Sequence, residues 1–172
     1  MVDIIGLIDQ LIAEHKILGE KGEALEQAVN DARLISDLSK ARETFVPGRF
    51  DQAEKLKVLE AQIVSIETWL QKHFDREENI LLKAVENFGD MALTDSLNEL
   101  LFEHSELRYR ISHSRMRIAE LLGDTLHRQI WDAAAHDARS YLSHTRALLQ
   151  THAGMENKLF FEIRRKIKVT QK

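Results

Sequence analysis

Residues 72–82, with the sequence KHFDREENILL, determine the predicted fold, because their pattern returns at residues 151–161 as THAGMENKLFF. Each copy contains His-x-x-x-Glu followed by an apolar run. On a helix, residues four positions apart lie on the same face one turn apart, so the imidazole and the carboxylate can reach the same point. Each copy therefore predicts a helix that carries a chelating pair, His73 with Glu77 and His152 with Glu156.

Each chelating pair is preceded by a further histidine that follows a glutamate, Glu14-His15 in the first case and Glu103-His104 in the second. The chain thus consists of two half-repeats, each with one lone histidine and one His-x-x-x-Glu pair. The two glutamates before the lone histidines point sideways on a helix, either toward the ligands as hydrogen-bond acceptors or toward solvent. The predicted metal ligands are His15, His73, Glu77, His104, His152 and Glu156.

Composition limits the classes of protein to which the chain can belong. Its 172 residues, 44% of them hydrophobic, suit one domain that spans residues 1–172. The net charge is -4 with both signs interspersed, which argues against a nucleic-acid surface or a polybasic membrane patch. We find no signal-peptide pattern and no apolar run of the roughly 20 residues that cross a membrane. There is no cysteine, which excludes disulfides and thiolate ligands. We therefore expect a soluble cytoplasmic protein with no nucleic-acid or membrane partner.

The expected fold class is all-α. Helix-breaking residues cluster at only three places, around Pro47, Gly89 and Gly123, and the low aromatic content and single proline favour helix over sheet. Between these breaks, apolar residues recur with helical spacing, and each proposed histidine ligand lies in the middle of such a stripe. Four long helices with short connections predict an up-down-up-down four-helix bundle. The predicted helices cover about residues 3–42, 51–87, 93–122 and 127–168.

The level of the ligands along the predicted bundle agrees for the first three helices and less well for the fourth. Gly123 lies 19 residues after His104, whereas His152 lies 29 residues after Gly123. Either the last connection is irregular over about residues 122–129, or His144 takes the place of His152. We favour His152, because His144 has Leu148 at the position where the carboxylate should be.

Such a cluster calls for a cation. Burying ionisable groups in an apolar core costs several kcal/mol unless something neutralises them. Taken singly, each motif could instead be a surface ion pair or a hydrogen-bonded core histidine. Mixed imidazole and carboxylate ligation without sulfur suits iron, manganese or zinc. Six ligands suit two ions, and if both carboxylates bridge, each ion receives two nitrogens and two oxygens. No Glu-x-x-His occurs, which argues against a ferritin-like di-iron protein.

The pattern resembles the hemerythrin-like family, also called the HHE cation-binding domain, over nearly the whole chain. The resemblance implies a hemerythrin-like four-helix bundle in which the six residues named above bind two iron ions joined by an oxo or hydroxo bridge. It also implies a protein that binds, senses or reduces diatomic ligands such as oxygen or nitric oxide. Alternatives are an iron storage, delivery or iron-sulfur cluster repair factor, or a helical interaction module with a purely structural metal site.

Two positions depart from the oxygen-carrying members of that family. Arg108 stands where they have a fifth histidine, and Asn157 stands where they have an aspartate. The set of four histidines and two glutamates is closer to the di-iron proteins related to iron-sulfur cluster repair. These departures favour a redox, sensing or repair role over simple reversible oxygen carriage.

The surroundings of the ligands yield further expectations. The inward positions of Gly19, Gly22 and Thr145 are small, which predicts either close helix contact or a path for small molecules to the metals. Ile80 is expected to face inward and Glu78 to lie on the surface. A buried polar layer is predicted further along the bundle, with Glu26 paired to Arg115 among Glu26, Gln62, Arg115 and Tyr141.

Overall fold

The structure is a computed structural model that describes residues 3–30, 50–123 and 126–170. These residues form helices and no strands, which confirms the all-α fold class. No helix in this part of the chain is both long enough and apolar enough to cross a membrane. The elements are α1 (Ile4–Asn30), α2 (Phe50–Arg76), a π-helical turn (Glu77–Leu81), α3 (Leu82–Phe88), α4 (Met91–Phe102), α5 (His104–Leu122) and α6 (Arg128–Thr170).

These elements make up four helical segments, as predicted. The second consists of α2, the π-helical turn and α3, and the third consists of α4 and α5, which are interrupted at Glu103. Helix α1 packs against α2 and α6, and α5 also packs against α2 and α6. Each segment therefore contacts two neighbours. The predicted continuation of the first helix to residue 42 and the turn at Pro47 lie outside the described residues.

The predicted break near Gly89 is confirmed and has a clear local cause. Gly89 ends α3 with φ +81°, a left-handed conformation that glycine adopts without steric cost. Asp90 then caps α4 by accepting a hydrogen bond from the backbone N–H of Leu93 at 3.1 Å. The same carboxylate binds Lys166 of α6 at 2.7 Å, which fastens this turn to the fourth segment.

The described part of the connection before α6 is not helical, in agreement with the predicted irregularity. Helix α5 ends at Leu122, Gly123 is extended, and α6 begins only at Arg128. Gly123, Leu126 and His127, the described residues between the two helices, are not helical, so the count of residues from Gly123 to His152 does not translate fully into helical rise. This irregularity accounts for part of the register difference that the sequence showed, because α6 begins only at Arg128.

Buried apolar residues form two clusters, and the predicted ligand histidines contact both. Phe160, from the cluster near the chain termini, stacks on His15 with ring centroids 5.7 Å apart. Phe74, from the other cluster, stacks on His104 at 3.8 Å. The histidines therefore lie in a layer between two apolar cores, and the residues on each side restrict the access of water to them.

The π-helical turn changes the register of the second segment. A π-helical turn closes i→i+5 hydrogen bonds and inserts about one extra residue into a helix, so the following residues rotate relative to an α-helix. As a result Ile80 is 40% exposed, while Leu81 is fully buried. The prediction that Ile80 faces inward was wrong, because it assumed a regular α-helix through this stretch.

The predicted buried polar layer was also wrong. Arg115 pairs with Glu67 at 3.0 Å, and Glu26 pairs with Arg146 at 2.7 Å. All four side chains are partly exposed, so these pairs lie on the flanks of neighbouring helices rather than in the core. A modest rotation of each helix away from the direction assumed from the sequence is enough to move such long side chains to the surface.

Candidate metal centre

The structure brings the six predicted ligand side chains together in one buried layer. They come from all four helical segments, and none has more than 6% of its surface exposed. Burial of so many ionisable groups at one place requires a compensating interaction. The side chains are His15 from α1, His73 from α2, Glu77 from the π-helical turn, His104 from α5, and His152 and Glu156 from α6.

The four histidines form two pairs. The Nε2 atoms of His15 and His73 are 2.9 Å apart, and those of His104 and His152 are 3.1 Å apart. Two donors that bind one ion at about 2.1 Å and at a right angle lie roughly 3.0 Å from each other. Both pairs therefore have the spacing of ligands that share an ion.

Glu77 lies between the two histidine pairs. Its Oε1 is 3.2 Å from Nε2 of His73, and its Oε2 is 3.4 Å from Nε2 of His104. Both oxygens are buried and have no hydrogen-bond donor among the described residues. A buried carboxylate without donors is costly, and a cation on each side would remove that cost.

Glu156 occupies the equivalent position in the second half-repeat. Its Oε1 is 3.0 Å from Nε2 of His152, and its Oε2 is 3.1 Å from Nε2 of His15. Each of the two carboxylates thus directs one oxygen toward each histidine pair. The donors divide into two sets. His15, His73, Glu77 and Glu156 form the first, and His104, His152 and Glu156 form the second, with Oε2 of Glu77 near His104.

Glu14 and Glu103, which precede the lone histidines, act as hydrogen-bond acceptors. Each accepts from the histidine that is paired with the lone one. Oε2 of Glu14 accepts from Nδ1 of His73 at 2.7 Å, and Oε2 of Glu103 accepts from Nδ1 of His152 at 2.9 Å. Of the two orientations predicted from sequence, the one toward the ligands is confirmed. Arg76 in turn binds Glu14 at 2.6 Å.

Two acceptors were not predicted. Oε1 of Glu78 accepts from Nδ1 of His104 at 2.8 Å, and Oδ1 of Asn157 accepts from Nδ1 of His15 at 2.9 Å. The prediction that Glu78 lies on the surface was wrong, because the side chain is only partly exposed and reaches the histidine. Arg108, at the position of the missing fifth histidine, holds both oxygens of Glu78 at 2.8 and 3.0 Å.

These contacts fix the tautomer of all four histidines. An oxygen acceptor at Nδ1 keeps the proton there, so the lone pair of each Nε2 points into the cluster. Four imidazole lone pairs and four carboxylate oxygens would repel one another in a dry core without a cation. Orienting acceptors of this kind are typical of metal sites. The buried histidine and glutamate side chains could therefore hold metal ions.

The pKa values of Glu77 and Glu156 also indicate that the cluster needs positive charge. Burial and the neighbouring charge of Glu156 raise the pKa of Glu77 well above its ordinary value. Burial also opposes ionisation of Glu156, whose pKa is lowered well below the ordinary value only where the neighbouring imidazoles of His104, His15 and His152 carry protons on Nε2. Two facing carboxylates in one dry site thus resist carrying two negative charges unless positive charge is supplied.

His144 does not belong to the cluster. It is exposed on α6, whereas His152 is buried and in contact with His104 and Glu156. The choice of His152 over His144 agrees with the structure.

A cavity of about 370 Å³ adjoins His15 between α1 and α6. Gly19 lines it, and no atom lies within 4 Å of the position where a Cβ would be. At Gly22 a Cβ would lie 3.3 Å from Cγ of Arg146. Of the two predictions for these glycines, open space is therefore correct for Gly19, and Gly22 combines space with a closer approach.

No protein-family model, curated protein or solved structure matches this chain. The motifs and the geometry of the cluster are therefore the features that indicate a function.

Proposed function

We propose that the chain is a hemerythrin-like cytoplasmic protein, a single domain with an up-down-up-down four-helix bundle that binds two iron ions. In this proposal it binds, senses or reduces small diatomic ligands such as oxygen or nitric oxide. The observation that carries the proposal is the position of Glu77 and Glu156, each with one oxygen toward each histidine pair. This division supports two ions rather than one.

The donor chemistry favours iron within this proposal. Each set combines imidazole and carboxylate donors without sulfur, which suits iron, manganese or zinc. Four protein donors in the first set and three in the second would leave coordination positions for an external ligand on an ion that prefers five or six. When bound, two iron ions would supply a change of oxidation state and open positions for diatomic ligands.

The surrounding side chains would keep such a centre rigid and would exclude water on the sides away from the cavity at His15. Glu14, Glu78 and Glu103 hold three of the histidines through their Nδ1 atoms. Trp69 stacks on His73 with ring centroids 5.2 Å apart. Together with Phe74 and Phe160, it limits movement of the imidazoles and the entry of water.

The position of Arg108 supports a redox or sensing role over simple oxygen carriage. Its guanidinium lies over the ring of Phe74, 5.1 Å from the centroid, and binds Glu78 rather than pointing into the cluster. The second set therefore has no further histidine to fill a coordination position. An ion bound there would be at least as open to an external ligand as the ion in the first set.

Metal analysis and optical spectroscopy of protein produced in iron-replete medium test the proposal. We expect about two iron ions per chain, near-ultraviolet absorption, and a new band when azide binds an open position. His152→Ala should lose iron, while His144→Ala, which removes an exposed histidine from the same helix, should retain it. Zinc or a single ion as the bound metal, or no response to azide, would contradict the proposal and favour a structural metal site.

A further inference from the structure

The cavity beside His15 is much larger than a diatomic ligand requires. A water molecule occupies roughly 30 Å³ in the liquid, so the cavity of about 370 Å³ could hold on the order of twelve molecules of that size. A diatomic molecule fills only one or two such volumes. The cavity therefore has the size of a binding site for an organic molecule with about ten carbon atoms.

The wall of the cavity is mainly apolar, and the cavity extends into the core. Ile66 of α2 and Ile111 of α5 form part of it, although its sides are α1 and α6. Few polar groups inside are available, since the Thr145 hydroxyl donates to a backbone carbonyl at 2.8 Å and Asn157 binds His15, while Nε of Arg146 is buried without a hydrogen-bond partner among the described residues. A space with so few available polar groups favours apolar contents over water. The other apolar side chains of the wall are Ile12, Leu18, Leu25, Leu142, Leu149 and Ala153.

The mouth of the cavity has basic character. Lys16 and Gln150 line it and are exposed, so the cavity opens to solvent between α1 and α6. The two charged lining residues are Lys16 and Arg146, and none of the lining residues is acidic. Arg146 is neutralised by Glu26 at 2.7 Å, which leaves the ammonium of Lys16 as the charge offered to a ligand.

We propose that this cavity binds a medium-chain carboxylic acid, with its hydrocarbon chain between α1 and α6 and its carboxylate at Lys16. The hydrocarbon chain of the ligand lies against the backbone of Gly19 and Gly154. At both glycines, no atom lies within 4 Å of the position where a Cβ would be. The inner wall includes His15, so the site adjoins the metal centre. Binding does not require a metal, because the contacts that hold the ligand are apolar side chains and one lysine.

Calorimetric titration of the 172-residue chain with sodium decanoate tests the site for the hydrocarbon chain. We expect saturable binding with one molecule per chain, both before and after removal of metal by a chelator. Each methylene added from hexanoate to decanoate should tighten binding about fourfold. Acids longer than about twelve carbons should gain no more, because the cavity is then full.

Gly19→Leu should fill the cavity and weaken decanoate binding at least tenfold. The substitution replaces a helical glycine at a position with free space, so the protein should fold at least as stably. Ala13→Leu, which adds the same side chain at an exposed position of α1, should bind decanoate like the unmodified chain. Equal binding by Gly19→Leu, or no saturable binding by the unmodified chain, would overturn the proposal.

The orientation of the ligand is tested separately with Lys16→Gln. This variant should reduce the preference for decanoate over 1-decanol, while binding of 1-decanol should stay the same. If the variant keeps the full preference, the carboxylate does not lie at Lys16 and the proposed orientation is wrong. The outcome does not depend on iron, so it is distinguishable from a failure of the di-iron proposal.

Discussion

The two histidine pairs have nearly the same internal geometry but differ in the groups that accept hydrogen bonds from their Nδ1 atoms. In the second pair, both His104 and His152 donate from Nδ1 to a carboxylate. In the first pair, His73 donates to a carboxylate, but His15 donates to the neutral amide oxygen of Asn157. His15 is also the histidine that lines the cavity. The half-repeats are therefore alike in their ligands and unlike in the environment of one imidazole.

This difference has a consequence for metal binding. A carboxylate behind Nδ1 makes an imidazole more basic and a stronger ligand than a neutral amide does. An ion bound by the first pair should therefore be held less tightly than an ion bound by the second. It also lies next to the cavity, so it is the ion that small molecules should reach first.

The largest expected effect comes from removing the carboxylate of Glu156, which lies close to both histidine pairs. Glu156 places an oxygen near His15 and another near His152, so Glu156→Ala takes one donor from each set. Metal analysis should show a fall from about two ions per chain to well under one. Glu162→Ala, which removes an exposed carboxylate from the same helix, should keep both ions. Loss of one ion alone would contradict the shared, bridging position of Glu156.

A smaller effect should follow from changing the residues that accept hydrogen bonds from Nδ1 of the histidines. Asn157→Asp should give His15 the kind of acceptor that the other histidines have and tighten the weaker ion, and Glu103→Gln should weaken the ion at His152. Changes to such supporting residues alter affinity about 10- to 100-fold. Competition with a chelator should show the two ions becoming more similar in the first variant. No change in either variant would mean that the acceptors do not set the affinity.

The cluster of six buried histidine and glutamate side chains could be predicted from the sequence because much of its geometry is local. The spacing of His73 and Glu77, and its repetition near the C-terminus, fixes two chelating pairs on helices without any knowledge of packing. The lone histidines followed from the periodicity of their helices. Glu14 and Glu103 also gave a signal, since both precede a lone histidine.

The remaining features depend on deviations from a regular helix or on distances between helices. The π-helical turn at Glu77–Leu81 has no signal that we recognise in the sequence, and it was missed together with the role of Glu78 and the exposure of Ile80. The sequence shows that Gly19 is small, but only the separation of α1 and α6 decides whether the space is filled. The pairing of Arg115 with Glu67 depends on a modest helix rotation that periodicity does not resolve.

The smallest expected effect concerns access to the first pair. Gly22 lines the cavity on the same helix as His15, and a Cβ there would lie 3.3 Å from the Cγ of Arg146, a flexible side chain that can give way. Gly22→Leu should therefore narrow the cavity and slow azide binding several-fold, with the iron content unchanged, because small ligands can still pass. Stopped-flow absorbance measures the rate, and Ala24→Leu at an exposed position of α1 is the matched control. An unchanged rate would mean that azide reaches the metals by another route, and the cavity would then not distinguish the first pair from the second.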